Sequence, residues 1–166
     1  SIPIWWVISN RIGKKLTWLI SSSITLIALV SFYLYPISQL NELLILVGFI
    51  GFGSGAGGIL FWSMLPDTIE YGEVHTGVRS ESSLYGFMTF AQKGSIAFAI
   101  IILGLVLDAI GFQANEIQSE STIADMKAIM TLIPIVGIAS SLVIIYFYPI
   151  DAKMHKELLR QLKEER

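Results

Sequence analysis

LYGFMTFAQKGSIAFAIIILGLVLDA, residues 84–109, holds only two charges, Lys93 and Asp108. About 20 predominantly apolar residues suffice to cross the hydrocarbon core of a bilayer as a helix. A helix is also how a single run satisfies its own backbone polar groups in lipid. Three further runs read the same way: about 16–35, closed by Pro36; about 43–65, closed by Pro66-Asp67; and about 128–148, closed by Pro149. Each is long enough to span with some tilt. Ahead of them, Ile2–Ile8 reads as the end of a fifth helix that begins upstream. Ser1-Ile2-Pro3-Ile4-Trp5-Trp6 lacks an initiator Met and the charged-then-apolar order of a signal peptide. The expected fold is an all-α membrane protein: four transmembrane helices plus an N-terminal helix stub over 1–149, then a tail over 150–166.

Composition agrees. Of 166 residues 54% are hydrophobic and 14% charged, and mean hydropathy is +0.68. A soluble domain carries roughly a quarter charged residues to face water. With a net charge of -2 and no basic run interleaved with aromatics, nothing points to nucleic acid. There is no cysteine, so neither disulfide nor thiolate chemistry arises.

Lys and Arg set the expected orientation. Arg11, Lys14 and Lys15, then Arg79, then Lys153, Lys156, Arg160, Lys163 and Arg166 fall on one side if all four spans cross. Only Lys127 falls on the other, beside Glu42, Glu116, Glu120 and Asp125. The positive-inside rule makes the basic side cytoplasmic, the C-terminus with it. Trp5, Trp6 and Trp18 flank the basic first loop, where amphipathic rings sit at headgroup level. In the tail, Met154, Leu158, Leu159 and Leu162 recur at helical spacing. That pattern suits a helix lying on the inner surface or one docking on a partner.

Lys93 lies about 14 Å into its span at about 1.5 Å per residue. An ammonium there costs at least about 2.5–3.5 kcal/mol and ordinarily faces a bundle interior, pairing with a carboxylate or a solute. Tyr85, Thr89, Gln92 and Lys93 fall on one side of the helix, continued by Ile96 and Ile100. A polar strip around a buried cation suits a wet cavity; a structural ion pair is the plainer alternative. No carboxylate lies mid-membrane in this chain, so the partner of Lys93 is expected on helices outside it.

Two other motifs need weighing. Gly53-x-Gly55-x-x-Gly58 matches the dinucleotide fingerprint in form, but it sits inside a span rather than between a strand and a soluble helix. Glycines four apart, Gly51/Gly55 and Gly53/Gly57, instead permit close helix packing, with or without a hinge. The segment Pro66–Glu81 holds Asp67, Glu70 and Glu73 at intervals of three, with His75 and Arg79. Helical spacing would stack these carboxylates. The pattern matches no standard metal-ligand spacing, which leaves a solvated acidic loop or a gate closed by pairing Arg79 with Asp67, Glu70 and Glu73. No nucleophile–base–orienter set and no phosphate loop appears, so no catalytic residues are expected and the protein is not an enzyme.

Asp67-Thr-Ile-Glu70-Tyr71-Gly72-Glu73, Thr76-Gly77-x-Arg79-x-Glu81, Tyr85, Thr89 and Lys93-Gly94 resemble the signature of the glycoside–pentoside–hexuronide:cation symporters. These are the melibiose-permease-like branch of the major facilitator superfamily. Asn10-Arg11-x-Gly13-Lys14-Lys15 resembles that family's basic loop between helices eight and nine, so the likeness covers nearly the whole chain. It departs where Glu70 replaces the usual Asp, and where Gly58 replaces a helix-ten tryptophan with Trp62 a turn further on. Ser63-Met64-Leu65-Pro66-Asp67 and Tyr148-Pro149-Ile150 also resemble lysophospholipid symporters.

The resemblance implies the end of helix eight and helices nine to twelve, part of the C-terminal six-helix half of a major facilitator fold, rocking about a midplane site. It implies that Lys93 lies near the sugar and cation sites, that Thr89 neighbours it in the sugar pocket, and that Asp67, Glu70 and Arg79 serve the inner gate. The expected function is cation-coupled symport, by Na+ or H+, of a small solute such as a sugar or glycoside across the cell membrane. It would act with an N-terminal half supplied elsewhere and need no cofactor within this chain. A lysolipid solute, or a non-transporting membrane scaffold, are the alternatives.

Overall fold

The structure, a computed structural model, describes residues 1–37 and 39–164, Lys163 and Glu164 by backbone alone. Arg166, counted above among the basic tail residues, lies outside the described residues. Among those residues all regular structure is helical: α1 (Ile2–Ile12), α2 (Lys14–Leu34), α3 (Leu40–Thr76), α4 (Glu81–Ala109), α5 (Glu120–Phe147) and α6 (Ala152–Glu164). Helices α2, α3, α4 and α5 are each long and apolar enough to cross a membrane, and α1 takes the place of the expected stub.

One boundary departs strongly from expectation. The sequence pattern closes the second span at Pro66, yet α3 runs through Pro66 to Thr76. A mid-helix proline removes one ladder hydrogen bond, here to the Trp62 carbonyl, and crowds the preceding turn. The helix survives because the next residues are held by neighbours. Asp67 is bound by Lys14, Thr68 Oγ1 donates to the Met64 carbonyl and lies 3.2 Å from Tyr148 Oη, and Ile69 is buried. The end is then closed by Gly77 at φ 69, whose amide donates to the Glu73 carbonyl, a left-handed cap that glycine adopts without Cβ strain. The expected acidic loop is thus mostly helix. Helix α5 likewise begins at Glu120, well before the expected start near Ala128.

The packed unit is built on α2 and α3. Buried on α2 are Thr17, Ser21, Thr25, Ala28 and Leu29, a face of mostly small residues that lets backbones approach closely. Opposite them is Gly53, where a Cβ would lie 2.8 Å from the Ser21 carbonyl oxygen and collide with Thr25 Oγ1. The buried hydroxyls bond within their own helix or its cap: Thr17 to the Gly13 carbonyl, Ser21 to Trp18, Thr25 to Ser21. Those three hydroxyls are therefore paired in an apolar setting.

Around this crossing, Trp5, Ala56, Leu60 and Met64 form a core joined by Ile8, Trp18, Phe52, Ile145 and Tyr148. Trp5 Nε1 donates to the Phe52 carbonyl at 2.7 Å, tying α1 to α3. Trp18 Nε1 donates to Ser141 Oγ at 3.0 Å, tying α2 to α5. The tail helix α6 packs on α3, burying Leu158 with Ile150 just before it. Helix α4 differs from the rest. It buries no residue, and Phe87, Phe90, Phe98 and Ile100 stand open.

Gly53→Leu is expected to destabilise the purified protein by about 1–3 kcal/mol through overpacking. Gly57→Ala, whose Cβ meets nothing within 4 Å, is expected to be neutral. Thermal unfolding in detergent reads both.

Candidate functional site

Two groups of polar side chains stand out, one along α4 and one at the basic end of the bundle. On α4 the structure separates what the sequence groups. Thr89 Oγ1 donates to the Tyr85 carbonyl one turn earlier at 2.8 Å, so that hydroxyl is satisfied within its own helix. Gln92 lines a cavity of about 500 Å³ between α2, α3 and α4, with Trp18, Phe61, Trp62, Met88 and Ser95. Lys93 is not among the lining residues. One helical residue turns about 100°, so the ammonium leaves the side that Gln92 faces. Lys93 is exposed and has neither hydrogen bond nor ion pair among the described residues.

At the basic end, charges converge from three helices. Lys14 Nζ, at the start of α2, donates to both Asp67 oxygens, at 2.7 and 2.8 Å, and to the Ser63 carbonyl at 2.7 Å. All three ammonium hydrogens thus have acceptors. The Asp67 side chain is 7% exposed and that of Lys14 33%, so the carboxylate is buried and depends on this cation. Next to it, Lys15 Nζ donates to the Tyr148 carbonyl at 2.6 Å. The α1–α2 turn at Gly13 (φ 88) makes room: a Cβ there would lie 3.0 Å from the Cβ of Ala152 at the start of α6.

Of the expected gate pairings Arg79 makes the one with Glu73 and does not reach Asp67 or Glu70. Its partners are Glu73, at 2.8 Å, and Glu81, at 3.1 Å. The reason is helical geometry: residues three apart advance by about 300°, so each carboxylate is turned about 60° from the last. Asp67 therefore faces α2, Glu70 faces the tail, and Glu73 faces the turn that carries Arg79. His75 stacks on Tyr71 at 4.1 Å and bonds the Tyr71 carbonyl, away from the other carboxylates. The imidazole that does reach them is His155 of α6, with Nδ1 3.5 Å from Asp67 Oδ1 and 3.7 Å from Glu70 Oε2. One donor atom from each of these three residues falls within 4.8 Å of the others. Within this set Lys14 already donates to both Asp67 oxygens.

The surroundings shift two groups outside the spans. Hydrogen bonding to Glu73, then to Glu81, holds the Arg79 guanidinium still more firmly charged. The Asp151 carboxyl is held below its ordinary value, mainly by the Met154 amide. Asp151 Oδ1 accepts from the Lys153 and Met154 amides at 2.9 and 2.7 Å, an N-cap for α6.

Lys14, His155 and Tyr148 are not among the site residues that the sequence indicates. The helical recurrence of Met154, Leu158 and Leu162 is legible, but no local pattern states that His155, on that helix, meets residues far earlier in the chain.

A family model described as MFS/sugar transport protein matches residues 1–152. The chain is 31% identical over 152 residues to an uncharacterised symporter of Bacillus subtilis (strain 168), covering 92% of this chain and 33% of that protein. It is 31% identical over 152 residues to a glucuronide carrier protein homolog of Escherichia coli (strain K12), with the same coverage. A putative sulfoquinovose importer of the same strain is 31% identical over 116 residues, 69% of this chain and 25% of that protein. The chain spans about a third of the length of the first of these relatives.

Lys14→Met leaves the Asp67 carboxylate buried without its cation. Removing one partner of a buried pair costs about 3–5 kcal/mol; with Lys14 one-third exposed, solvent screening reduces this to about 1–3 kcal/mol. Lys14→Met/Asp67→Asn is expected to recover part of the loss. A double-mutant cycle on thermal stability measures the coupling, and strict additivity would refute it.

Proposed function

This chain belongs to the MFS/sugar transport protein family, and from that premise we propose that it forms the later helices of a cation-coupled symporter for a sugar or glycoside. The family is one of transporters rather than enzymes, and the chain is a multi-pass membrane protein. In the proposed arrangement the basic end faces the cytoplasm, the C-terminus is cytoplasmic, and the membrane is the cell membrane. Na+ or H+ supplies the driving gradient. A ligand shifts an inward-open/outward-open equilibrium only by its differential affinity for the two states.

The observation that carries this reading is Lys93: an ammonium within a membrane-crossing helix, on an open face, with no counter-charge among the described residues. Such a cation takes its partner from helices of the other half or from the solute and coupling-ion site. Gln92 with Trp18, Phe61 and Trp62 offers an amide and aromatic faces suited to a hydroxylated ring. Thr89 and Tyr85 lie on the same helix and serve the solute once the remaining helices close around them. A glucuronide and sulfoquinovose each carry one negative charge, and the names of two relatives favour an anionic sugar as the solute opposite Lys93.

At the basic end, the Lys14–Asp67 clamp with Glu70, and the Arg79–Glu73–Glu81 group, are proposed to form the inner gate, which opens when these pairs separate. A lysolipid solute keeps the same fold and gate; a scaffold without transport keeps only the fold.

Lys93→Ala in the full-length protein is expected to abolish gradient-driven uptake while expression stays near wild type. Uptake into proteoliposomes, with a glucuronide compared with its neutral glycoside, reads this. Wild-type uptake by the variant would refute the role of Lys93, and absence of ion-dependent uptake of any solute by the unmodified protein would favour the scaffold.

A further inference from the structure

The contact between α6 and α3 contains a chemical mismatch that the gate itself does not explain. Glu70 Oε2 and His155 Nδ1 are buried and each lacks a hydrogen-bond partner, although they lie only 3.7 Å apart. A carboxylate oxygen is an acceptor only, so an Nδ1 that also presents a lone pair opposes it. A proton on Nδ1 turns the same contact into a donor facing two acceptors, Glu70 Oε2 and Asp67 Oδ1. The charges point the same way. From α3 come Asp67 and Glu70; from α2 come Lys14 and, beside it, Lys15; from the end of α5 comes the Tyr148 phenol; Asp151 lies one turn before His155. Lys14 is bonded to Asp67 and Lys15 to the Tyr148 carbonyl, which leaves Glu70 uncompensated until the imidazole becomes a cation.

Besides these polar contacts the tail is held by Ile150 and Leu158, by half-buried Leu162 and by the close approach of Ala152 to Gly13. We propose that α6 is a proton-operated latch: with His155 protonated the tail helix docks on α3 and fixes Asp67 and Glu70 in place, and with His155 neutral it lets go. This rests on the reading of those carboxylates as part of the inner gate. The sign follows from the pairing. The neutral Nδ1–H tautomer can already donate, and protonation adds the missing positive charge, so docking is strongest at low pH. It weakens as rising pH takes the proton from an imidazole that faces two carboxylates.

The test uses full-length protein spin-labelled at Lys156→Cys and Val78→Cys, both exposed, with inter-label distances read in the absence of solute at about pH 5.5 and about pH 8. The docked-to-undocked ratio is expected to fall about tenfold at the higher pH, the effect of one charge-assisted hydrogen bond. His155→Gln is expected to remove the pH response, and His155→Lys to keep the tail docked at both values. A ratio that does not move in the unsubstituted protein, or a response that persists in His155→Gln, would overturn the latch. Uptake by Asp67→Asn is read separately: undiminished transport there would sink the gate reading while the distance data still judge the latch.

Discussion

Where α2 crosses α3, the backbone of Gly53 meets Ser21 and Thr25 with no side chain of its own between them. In lipid there is no hydrophobic drive to bring two apolar helices together, so association relies on close packing and interhelical hydrogen bonds. That crossing sets the register of the basic end. The two helices run antiparallel, and from the crossing Lys14 lies about three turns back along α2 while Asp67 lies about four turns onward along α3. These are comparable distances along the two axes, and the lysine stem covers the remainder. A clamp between residues far apart in sequence is thereby fixed by a single small residue.

The clamp in turn organises its neighbours. With Asp67 neutralised by Lys14, α3 carries a buried carboxylate beyond a proline that would otherwise end it. The extended helix gives Tyr148 and the tail a surface to meet: Thr68 reaches Tyr148, and Leu158 is buried. Charges that resemble one acidic stretch in the sequence are sorted by the turn of α3 into three directions: Asp67 toward Lys14, Glu70 toward His155 and Glu73 toward Arg79. The same end thus combines a buried pair, an exposed Arg79 pair that screening weakens, and an imidazole contact whose strength depends on a proton.

Helix α4 shows the opposite condition. It is apolar over most of its circumference and touches the packed unit only lightly, burying nothing. Its one cation within the span faces away from the described helices. The cavity beside Gln92 and Trp62 sits between this lightly held helix and the tightly packed α2–α3 pair.

Fold class, four crossings, the basic side and the unusual position of Lys93 are all legible in the chain, because hydropathy and charge are read residue by residue along it. The resemblance between Asp67 and Lys93 points to the family to which the chain belongs. What the chain does not state is which carboxylate meets which cation. Spacing groups Arg79 with Asp67 and Glu70 as readily as with Glu73, and only the rotation of α3 shows that it faces Glu73 and Glu81. Pro66 reads as a terminus because its lost hydrogen bond is local, whereas the contacts that carry α3 past it come from α2 and from Tyr148 after α5. The neighbour of Glu70, His155, comes from the far end of the chain. In a helix apolar nearly all round, composition cannot tell a lipid-facing side from a packed one. Rotation and register are decided by the helix crossing, and with them the identity of the ion pairs at the basic end.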